Sequence, residues 1–147
     1  PYVIETSIGV DRMVLQVLSA GYQEEKLENG EERTVLSIPA PLAPVKAAVL
    51  PLVKKDGLPE IAHRIKNTLR YDYNIQYDEK DSIGKRYRRQ DAIGTPLCIT
   101  IDHQSAEDGT VTVRDRDTMR QERVHIEAIP ALVESKAGMR ALLDKLA

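Results

Sequence analysis

Residues 81–94 read DSIGKRYRRQDAIG, and the segments on either side are arranged around this stretch. Ser82 is typical of a helix N-cap, because its hydroxyl can accept a hydrogen bond from the free N–H groups of a first helical turn. Gly94 favours the left-handed conformation that ends helices, and the Thr-Pro that follows cannot continue one. We therefore predict a helix between these two residues. Four of its residues are cationic: Lys85, Arg86, Arg88 and Arg89.

The predicted helix has two different sides. Lys85, Arg86 and Arg89 share one side through spacings of three and four residues. Ile83 and Tyr87 share another and can pack against the rest of the protein. A short helix anchored on one side and presenting arginines on the other is suited to phosphate groups or base edges. The alternative interpretation is a solvated basic surface with no ligand.

Strand and helix patterns alternate through the second part of the chain. Strand patterns cover residues 45–53, 74–78, 97–101, 110–117 and 119–126. Helical patterns cover residues 58–69 and a stretch that starts at Pro130 and is interrupted at Gly138. An apolar stripe of Leu142, Leu143 and Leu146 follows that interruption. The last two strands are expected to pair as a hairpin. This order predicts a three-layer α/β domain with a mixed five-stranded sheet.

Residues 1–40 have a different character. The pattern predicts a strand over residues 2–8 and then, after Gly9, a helix that ends at Gly21 and is apolar on more than one side. Such a helix requires burial between other elements. An acidic stretch follows, with an Asn-Gly turn at residues 29–30. Because a proline-rich connector comes next, we place a boundary there, between units 1–40 and 41–147.

Composition limits the classes of function. The 147 residues are 41% hydrophobic and 30% charged, which predicts a soluble globular fold. No apolar run reaches the length of a membrane span, and no signal peptide is visible. The net charge of −2 is unlike the strongly basic balance of sequence-independent nucleic-acid binders. Any nucleic acid must therefore be held by a local patch.

The chain begins with Pro1 rather than Met, so we expect a piece of a longer protein.

Several chemistries have no support in the sequence. The single cysteine, Cys98, excludes an internal disulfide and favours a reducing, cytoplasmic setting. The three histidines lack ligand-like spacing, so no zinc site is expected. Phe and Trp are absent, so base stacking would require tyrosine rings or arginine planes.

A second charged cluster occupies residues 114–117, with the sequence RDRD. In a strand, Arg114 and Arg116 point to one face, and Asp115 and Asp117 to the other. An exposed edge strand protected from aggregation by its charges is the alternative interpretation.

Four blocks of the chain resemble class II aminoacyl-tRNA synthetases of the glycyl type, in that family's order. Residues 3–12, VIETSIGVDR, are similar to the third signature motif of the class. Residues 42–52, residues 82–87 with 91–94, and residues 113–121 are similar to the anticodon-binding domain. The resemblance is to the homodimeric form of the enzyme, and it covers nearly the whole chain.

For the first unit, the resemblance implies a catalytic remnant. Glu5 would pair with the ammonium of glycine, Ser7 would line the amino-acid pocket, and Arg12 would be the catalytic residue that holds the ATP phosphates. Arg12 stands in a first helical turn, where a cation is unfavourable unless something anionic uses it. The complete enzyme would require ATP with Mg²⁺, whereas this piece would be inactive and bind no cofactor. Thr6 and Asp11 depart from the proline and glycine that are common in the family.

For the second unit, the resemblance implies recognition of the anticodon of glycine tRNA. Unstacked loop bases expose edges that arginine and aspartate can hydrogen-bond. The expected contacts converge on one concave surface: Arg86, Arg89, Arg114 and Arg116 to base edges, Lys85 to phosphate, and Asp117 as an acceptor. Two alternatives remain, a non-catalytic paralogue of the polymerase accessory-subunit type and a small-ligand-binding α/β domain of flavodoxin type. Intact Glu5, Ser7 and Arg12 argue against the first, and the lack of a phosphate-binding loop against the second.

Overall fold

The structure, a computed structural model, describes residues 2–27 and 30–144. The elements are α1 (Val10–Gly21), β1 (Tyr22–Lys26), β2 (Glu32–Leu36), β3 (Ala47–Pro51), α2 (Leu58–Leu69), β4 (Ile75–Tyr77), α3 (Ile83–Ala92), β5 (Leu97–Ile101), α4 (His103–Asp108), β6 (Thr110–Asp115), β7 (Gln121–His125), α5 (Ile129–Ala137) and α6 (Met139–Leu143). Single 3₁₀ turns cover Ala40–Leu42 and Ile126–Ala128. The predicted interruption at Gly138 is confirmed, whereas Asn29 and Leu146 lie outside the described residues.

The five strands β3–β7 form one mixed sheet in the order β4-β3-β5-β6-β7. Strand β3 runs parallel to β4 and β5, and β6 runs antiparallel to both β5 and β7. The parallel pairs are joined through helices α2 and α3, because parallel neighbours require a long crossover, whereas the antiparallel β6–β7 pair needs only a short turn. The predicted α/β fold with a mixed five-stranded sheet is confirmed.

Helices cover both faces of the sheet and make three layers. The larger core lies on the face covered by α2 and α5, where Leu58, Ile65, Ile129 and Val133 are buried against strand residues. On the other face, Ile83 and Tyr87 of α3 pack on Ala48, Leu50 and Cys98. Helix α3 is therefore anchored on the protein by the side that its apolar residues predicted.

A separate hairpin, β1–β2, packs beside the end of α3. Gly94 follows α3 with a φ of +80°, and a Cβ atom there would lie 2.9 Å from the carbonyl oxygen of Leu36. The hairpin backbone therefore approaches the end of α3 closely, and glycine is needed both for its conformation and for space. The proposed boundary at the proline-rich connector stays a prediction, and contacts cross it.

Residues 2–9 form neither a helix nor a strand, so the strand predicted over residues 2–8 is not present. A strand is stabilised by hydrogen bonds to a neighbouring strand, and no described strand pairs with this segment. Helix α1 forms as predicted, but its large apolar side chains are exposed: Val10, Met13, Val14, Leu15 and Leu18. Nothing in the described part of the chain supplies the burial that this helix requires.

Helix α4 is a feature that the sequence pattern did not predict. Asp102 accepts a hydrogen bond from the backbone N–H of Ser105, whose hydroxyl accepts one from the backbone N–H of Asp102. This reciprocal capping stabilises a short turn that has too few residues to show apolar periodicity. No helix in the described parts of the chain has both the length and the apolar character to span a bilayer.

Candidate nucleic-acid interface

Helix α3 carries most of the predicted contact residues. It starts at Ile83 directly after Ser82 and ends at Ala92, before the left-handed Gly94, so its predicted limits are confirmed. Ser82 is the N-cap residue, but its hydroxyl makes no capping hydrogen bond. The helix is instead held by packing of its apolar side and by the hydrogen bonds of Arg86.

Arg86 is buried, with 2% of its surface exposed. Its Nη1 donates to the carbonyl oxygen of Pro51 over 2.6 Å and to that of Asp78 over 3.3 Å. Its Nη2 donates to the carbonyl oxygen of Leu52 over 3.3 Å. Arg86 therefore ties the segments that follow β3 and β4 to the start of α3, and its donors satisfy backbone carbonyls that would otherwise lack partners.

Asp91 joins two further arginines in a buried cluster. Its Oδ2 accepts from Arg33 Nε at 2.8 Å and Arg114 Nη2 at 3.0 Å, and its Oδ1 accepts from Arg114 Nη1 at 2.8 Å. Arg33 also donates to Glu25 at 2.8 Å. Burial alone would lower the pKa of Arg33, but hydrogen bonds to Asp91 and Glu25 raise it overall. The cluster joins the hairpin, α3 and β6.

Arg116 closes the same region from the other side. Its Nη1 donates to the carbonyl oxygen of Gly94 at 2.8 Å, its Nη2 to that of Ile38 at 2.8 Å, and its Nε to Asp117 Oδ1 at 2.7 Å. The carbonyl oxygen of Arg116 accepts from Arg33 Nη2 at 2.5 Å. Arg116 is thus surrounded by the hairpin, the connector after it and the end of α3.

The structure corrects the prediction for Arg86, Arg114 and Arg116. They are 2%, 6% and 2% exposed, and their hydrogen bonds go to groups of the protein, so they are internal framework residues and do not face a base in this conformation. One donor, Arg86 Nε, is buried without a partner in the described residues. Nor do the predicted contacts converge, because Lys85 and Asp117 lie near opposite ends of a helix about 15 Å long. A guanidinium group fits protein carbonyls and carboxylates as well as it fits nucleotides, so residue type alone could not distinguish these roles.

The remaining predicted contacts are at the surface. Lys85 is exposed, and its ammonium has no hydrogen bond or ion pair within the described chain. Arg89 is 43% exposed, but it donates to Asp78 and Asp81, and its bond to Asp81 lowers the pKa of that carboxyl. Asp117 is 42% exposed and accepts from Arg116 and from the hydroxyl of Ser37. As contacts to RNA, Lys85, Arg89 and Asp117 stay predictions.

Beside α3, the same sheet face carries a row of polar side chains, of which Thr100 is buried and Thr112 and Arg123 are half-buried. Thr100, Thr112 and Arg123 are direct neighbours across β5, β6 and β7. Thr100 Oγ1 lies 2.6 Å from the hydroxyl of Tyr87 on α3, and the Tyr87 ring lies 4.8 Å from the Arg114 guanidinium carbon. We call the surface between Tyr87 and Arg123, with Thr100 and Thr112 between them, the polar groove. Gln121 is exposed at its edge.

Arg123 is held in one orientation at the far side of the polar groove. Its Nη1 and Nη2 donate to Asp102 at 2.5 and 2.9 Å, its Nε donates to Thr110 Oγ1 at 2.8 Å, and its Nη1 also reaches Thr112 Oγ1 at 3.1 Å. The hydrogen bond from Arg123 is the largest cause that lowers the pKa of Asp102 to about 2. No sequence pattern marked this group, because its members come from three separate segments: Asp102 after β5, Thr110 and Thr112 in β6, and Arg123 in β7.

The residues predicted for catalysis lie outside these surfaces. Glu5, Ser7 and Arg12 are exposed, and in the described residues none of their side chains makes a hydrogen bond or ion pair. Since residues 2–9 do not form the strand, the structure does not place Glu5 and Ser7 on one strand face. Their roles stay predictions. Within residues 2–27 and 30–144, no cluster of three metal-ligating His, Cys, Asp or Glu side chains occurs.

Comparison with protein families identifies the domain. Residues 46–136 match the family model described as the anticodon binding domain. The chain belongs to this family. The anticodon-binding model lies within the five-stranded unit and includes the polar groove, Lys85 and Arg89, whereas the hairpin and α1 precede it.

Relatives with similar sequences carry a consistent name. The glycine–tRNA ligases of Borrelia hermsii and Geobacillus kaustophilus are 51% and 55% identical over 136 residues, which is 92% of this chain. The chain spans only 31% and 29% of their respective lengths. The resemblance to the glycyl family of aminoacyl-tRNA synthetases is therefore confirmed.

Solved structures with the same fold come from related synthetases. The RNA binding domain of threonyl-tRNA synthetase from Cryptosporidium parvum matches with a TM-score of 0.61 and 25% identity, over 69% of this chain and 26% of that one. Prolyl-tRNA synthetase from the same organism matches with a TM-score of 0.63 and 19% identity, over 82% of this chain and 32% of that one. This likeness shows the fold, and with the family match it favours the synthetase interpretation over a flavodoxin-type small-ligand binder.

Proposed function

We propose that this chain is the part of a glycine–tRNA ligase that binds the anticodon loop of glycine tRNA. The observation that carries the proposal is the anticodon-binding match over residues 46–136, in a chain more than 50% identical to glycine–tRNA ligases over 92% of its length. A ligase must distinguish one tRNA from all others, and unpaired loop bases offer hydrogen-bonding edges that a rigid protein surface can recognise.

The structure supports a binding surface on the outer side of α3 and in the polar groove beside it. Lys85 is an exposed cation with no hydrogen bond or ion pair among the described residues and is suited to a phosphate, whereas Arg89 and Asp117 offer exposed polar groups already oriented by their neighbours. The buried arginines keep this surface rigid, because each connects at least two separate segments. Rigid positioning reduces the conformational entropy lost on binding.

The role proposed for residues 1–40 belongs to the complete ligase. We assign Glu5, Ser7 and Arg12 to its glycine and ATP sites, and residues 41–147 to the anticodon-binding domain. The exposed apolar side of α1 supports this division, since that helix requires a partner outside the described residues. ATP with Mg²⁺, glycine, homodimer assembly and a cytoplasmic location are likewise assigned to the complete ligase. Of this chain's residues, only Arg12 is proposed to contact ATP.

A binding titration tests the anticodon proposal. The chain is titrated against glycine tRNA and against the same tRNA with an exchanged anticodon, by filter binding at two salt concentrations. We expect the exchange to weaken binding about tenfold or more, because each wrong base commonly removes 1–3 kcal/mol of discrimination. Equal affinity for both tRNAs at both salt concentrations would contradict the proposal, since phosphate contacts alone do not depend on sequence.

A second test uses the complete ligase. Lys85→Ala should raise the KM for tRNA in aminoacylation and leave ATP–pyrophosphate exchange unchanged, because that half-reaction requires no tRNA. Arg12→Ala should impair both reactions. If Lys85→Ala lowered both activities equally, Lys85 would act through the catalytic unit and not through tRNA.

A further inference from the structure

We infer that Arg123 provides a flat stacking surface for one unpaired base of the bound RNA, within the polar groove. The inference rests on the proposed function and adds to it one residue and one mode of contact. It concerns a base in a single-stranded loop, because a paired base has both faces covered by its neighbours.

The hydrogen bonds of Arg123 explain why its face is the part that remains available. All three guanidinium nitrogens donate within the plane of the group, to Asp102, Thr110 and Thr112. The edges are therefore occupied, but the side chain is still 28% exposed. A guanidinium plane stacks on aromatic rings, and its orientation here is already set before any ligand arrives. Little side-chain entropy is left to lose on binding.

The composition and charge of the site agree with stacking. The chain contains no Phe or Trp, so stacking surfaces are limited to arginine planes and to tyrosine and histidine rings. Tyr87 is less suited to this, because its ring lies against Arg114 and its hydroxyl is bonded to Thr100. The ion pair with Asp102 also neutralises the charge of Arg123, so a base would bind mainly by stacking on the guanidinium plane and less by attraction to the charge.

Gly84 offers a second, independent observation on the opposite side of the groove. It is the second residue of α3, three residues before Tyr87, and so on the same side of the helix. Glycine disfavours helix formation, yet a Cβ added at Gly84 would meet no atom of the described residues within 4 Å. Packing therefore gives no reason for a glycine here. The open space is consistent with close approach of an RNA strand.

The test uses the whole 147-residue chain and a synthetic RNA hairpin with the anticodon stem and loop of glycine tRNA. Loop bases are replaced one at a time by 2-aminopurine, whose fluorescence changes when it stacks, and affinity is measured by anisotropy. The variants are Arg123→Lys, which keeps the charge but loses the plane, and Gly84→Leu, which fills the open space without strain. Arg120→Ala, at an exposed arginine of the β6–β7 turn, is the matched control. Circular dichroism verifies that each variant is folded.

We expect Arg123→Lys to weaken binding about tenfold, the order observed when one base loses its stacking partner, and to remove the fluorescence change at one loop position. The salt dependence of binding should stay the same, because no phosphate contact is lost. Gly84→Leu should weaken binding by a similar factor, while Arg120→Ala should bind like the unaltered chain.

The outcomes separate this inference from the proposed function. If the unaltered chain prefers the glycine hairpin but Arg123→Lys binds equally well with the same fluorescence change, the stacking inference is overturned and anticodon recognition stands. If Arg123→Lys changes only the salt dependence, Arg123 contacts a phosphate and the inference is also overturned. If the unaltered chain does not distinguish the hairpins at all, both fail.

Discussion

Loss of the Asp91 carboxylate should destabilise the domain more than any exposed substitution. Asp91 is 1% exposed and receives three charge-assisted hydrogen bonds, from Arg33 and Arg114, over 2.8–3.0 Å. Asp91→Asn keeps the size of the side chain but removes the negative charge, which leaves the Arg114 guanidinium buried without its carboxylate and Arg33 paired with Glu25 alone. Breaking a buried pair in this way costs about 3–5 kcal/mol. That is a large fraction of a typical domain's free energy of unfolding, about 5–15 kcal/mol.

Urea unfolding, followed by circular dichroism, measures this change. With a slope of about 2 kcal/mol per molar urea, the midpoint of the transition should fall by about 2 M. Glu107→Gln is the control, because Glu107 is an exposed carboxylate with no side-chain partner in the described chain, and its midpoint should not move. A decrease of less than about 1 kcal/mol for Asp91→Asn would refute the reasoning that the cluster is a buried charge network.

Three further predictions concern backbone strain, acid stability and thiol reactivity. Gly94→Ala should lower the free energy of unfolding by about 1–3 kcal/mol, because its left-handed φ and the carbonyl of Leu36 both oppose a Cβ; an unchanged urea midpoint would contradict this. The Arg123 bond lowers the pKa of Asp102 to about 2, so its stabilisation is complete above about pH 4 and is lost as the pH falls towards 2; acid unfolding of Asp102→Asn should lack this contribution of roughly 1 kcal/mol. Burial raises the pKa of the Cys98 thiol to about 12, so it should react with a disulfide reagent at pH 8 only after urea is added; rapid labelling of the folded chain would disprove this.

Much of the fold was predictable because its signals are local. The limits of α3 follow from Ser82 and Gly94, and the β6–β7 hairpin follows from two strand patterns joined by a short polar turn. Apolar spacing located α2 and the buried strands, since burial of one side repeats along the chain with the period of the element. The prediction of a strand over residues 2–8 was wrong because the stability of a strand is not local. A strand depends on neighbours that lie far away in sequence or in another part of a longer protein.

The candidate site was less predictable. A position in the last turn of α3 is unfavourable for an acid, and this was the one local sign that Asp91 has a buried partner. No comparable sign marked Arg33, which stands alone in an acidic stretch, or Arg123, whose partners come from the ends of β5 and β6. The exposure of an arginine is a property of its surroundings and not of its neighbours in sequence.

Apart from the absent strand over residues 2–8 and the unpredicted α4, residue order alone specified the elements of the five-stranded unit, their α/β sequence and the family, because backbone propensity and apolar periodicity act over a few residues. Tertiary structure alone determined which cations face water. Packing of the hairpin beside α3 enclosed Arg33 and Arg116, the pair with Asp91 buried Arg114, and pairing of β7 with β6 brought Arg123 to Thr112 and Asp102 with its side chain still 28% exposed. An exposed charge is solvated by water, whereas a buried charge requires protein partners. Those partners are distant in sequence and were brought together only by folding.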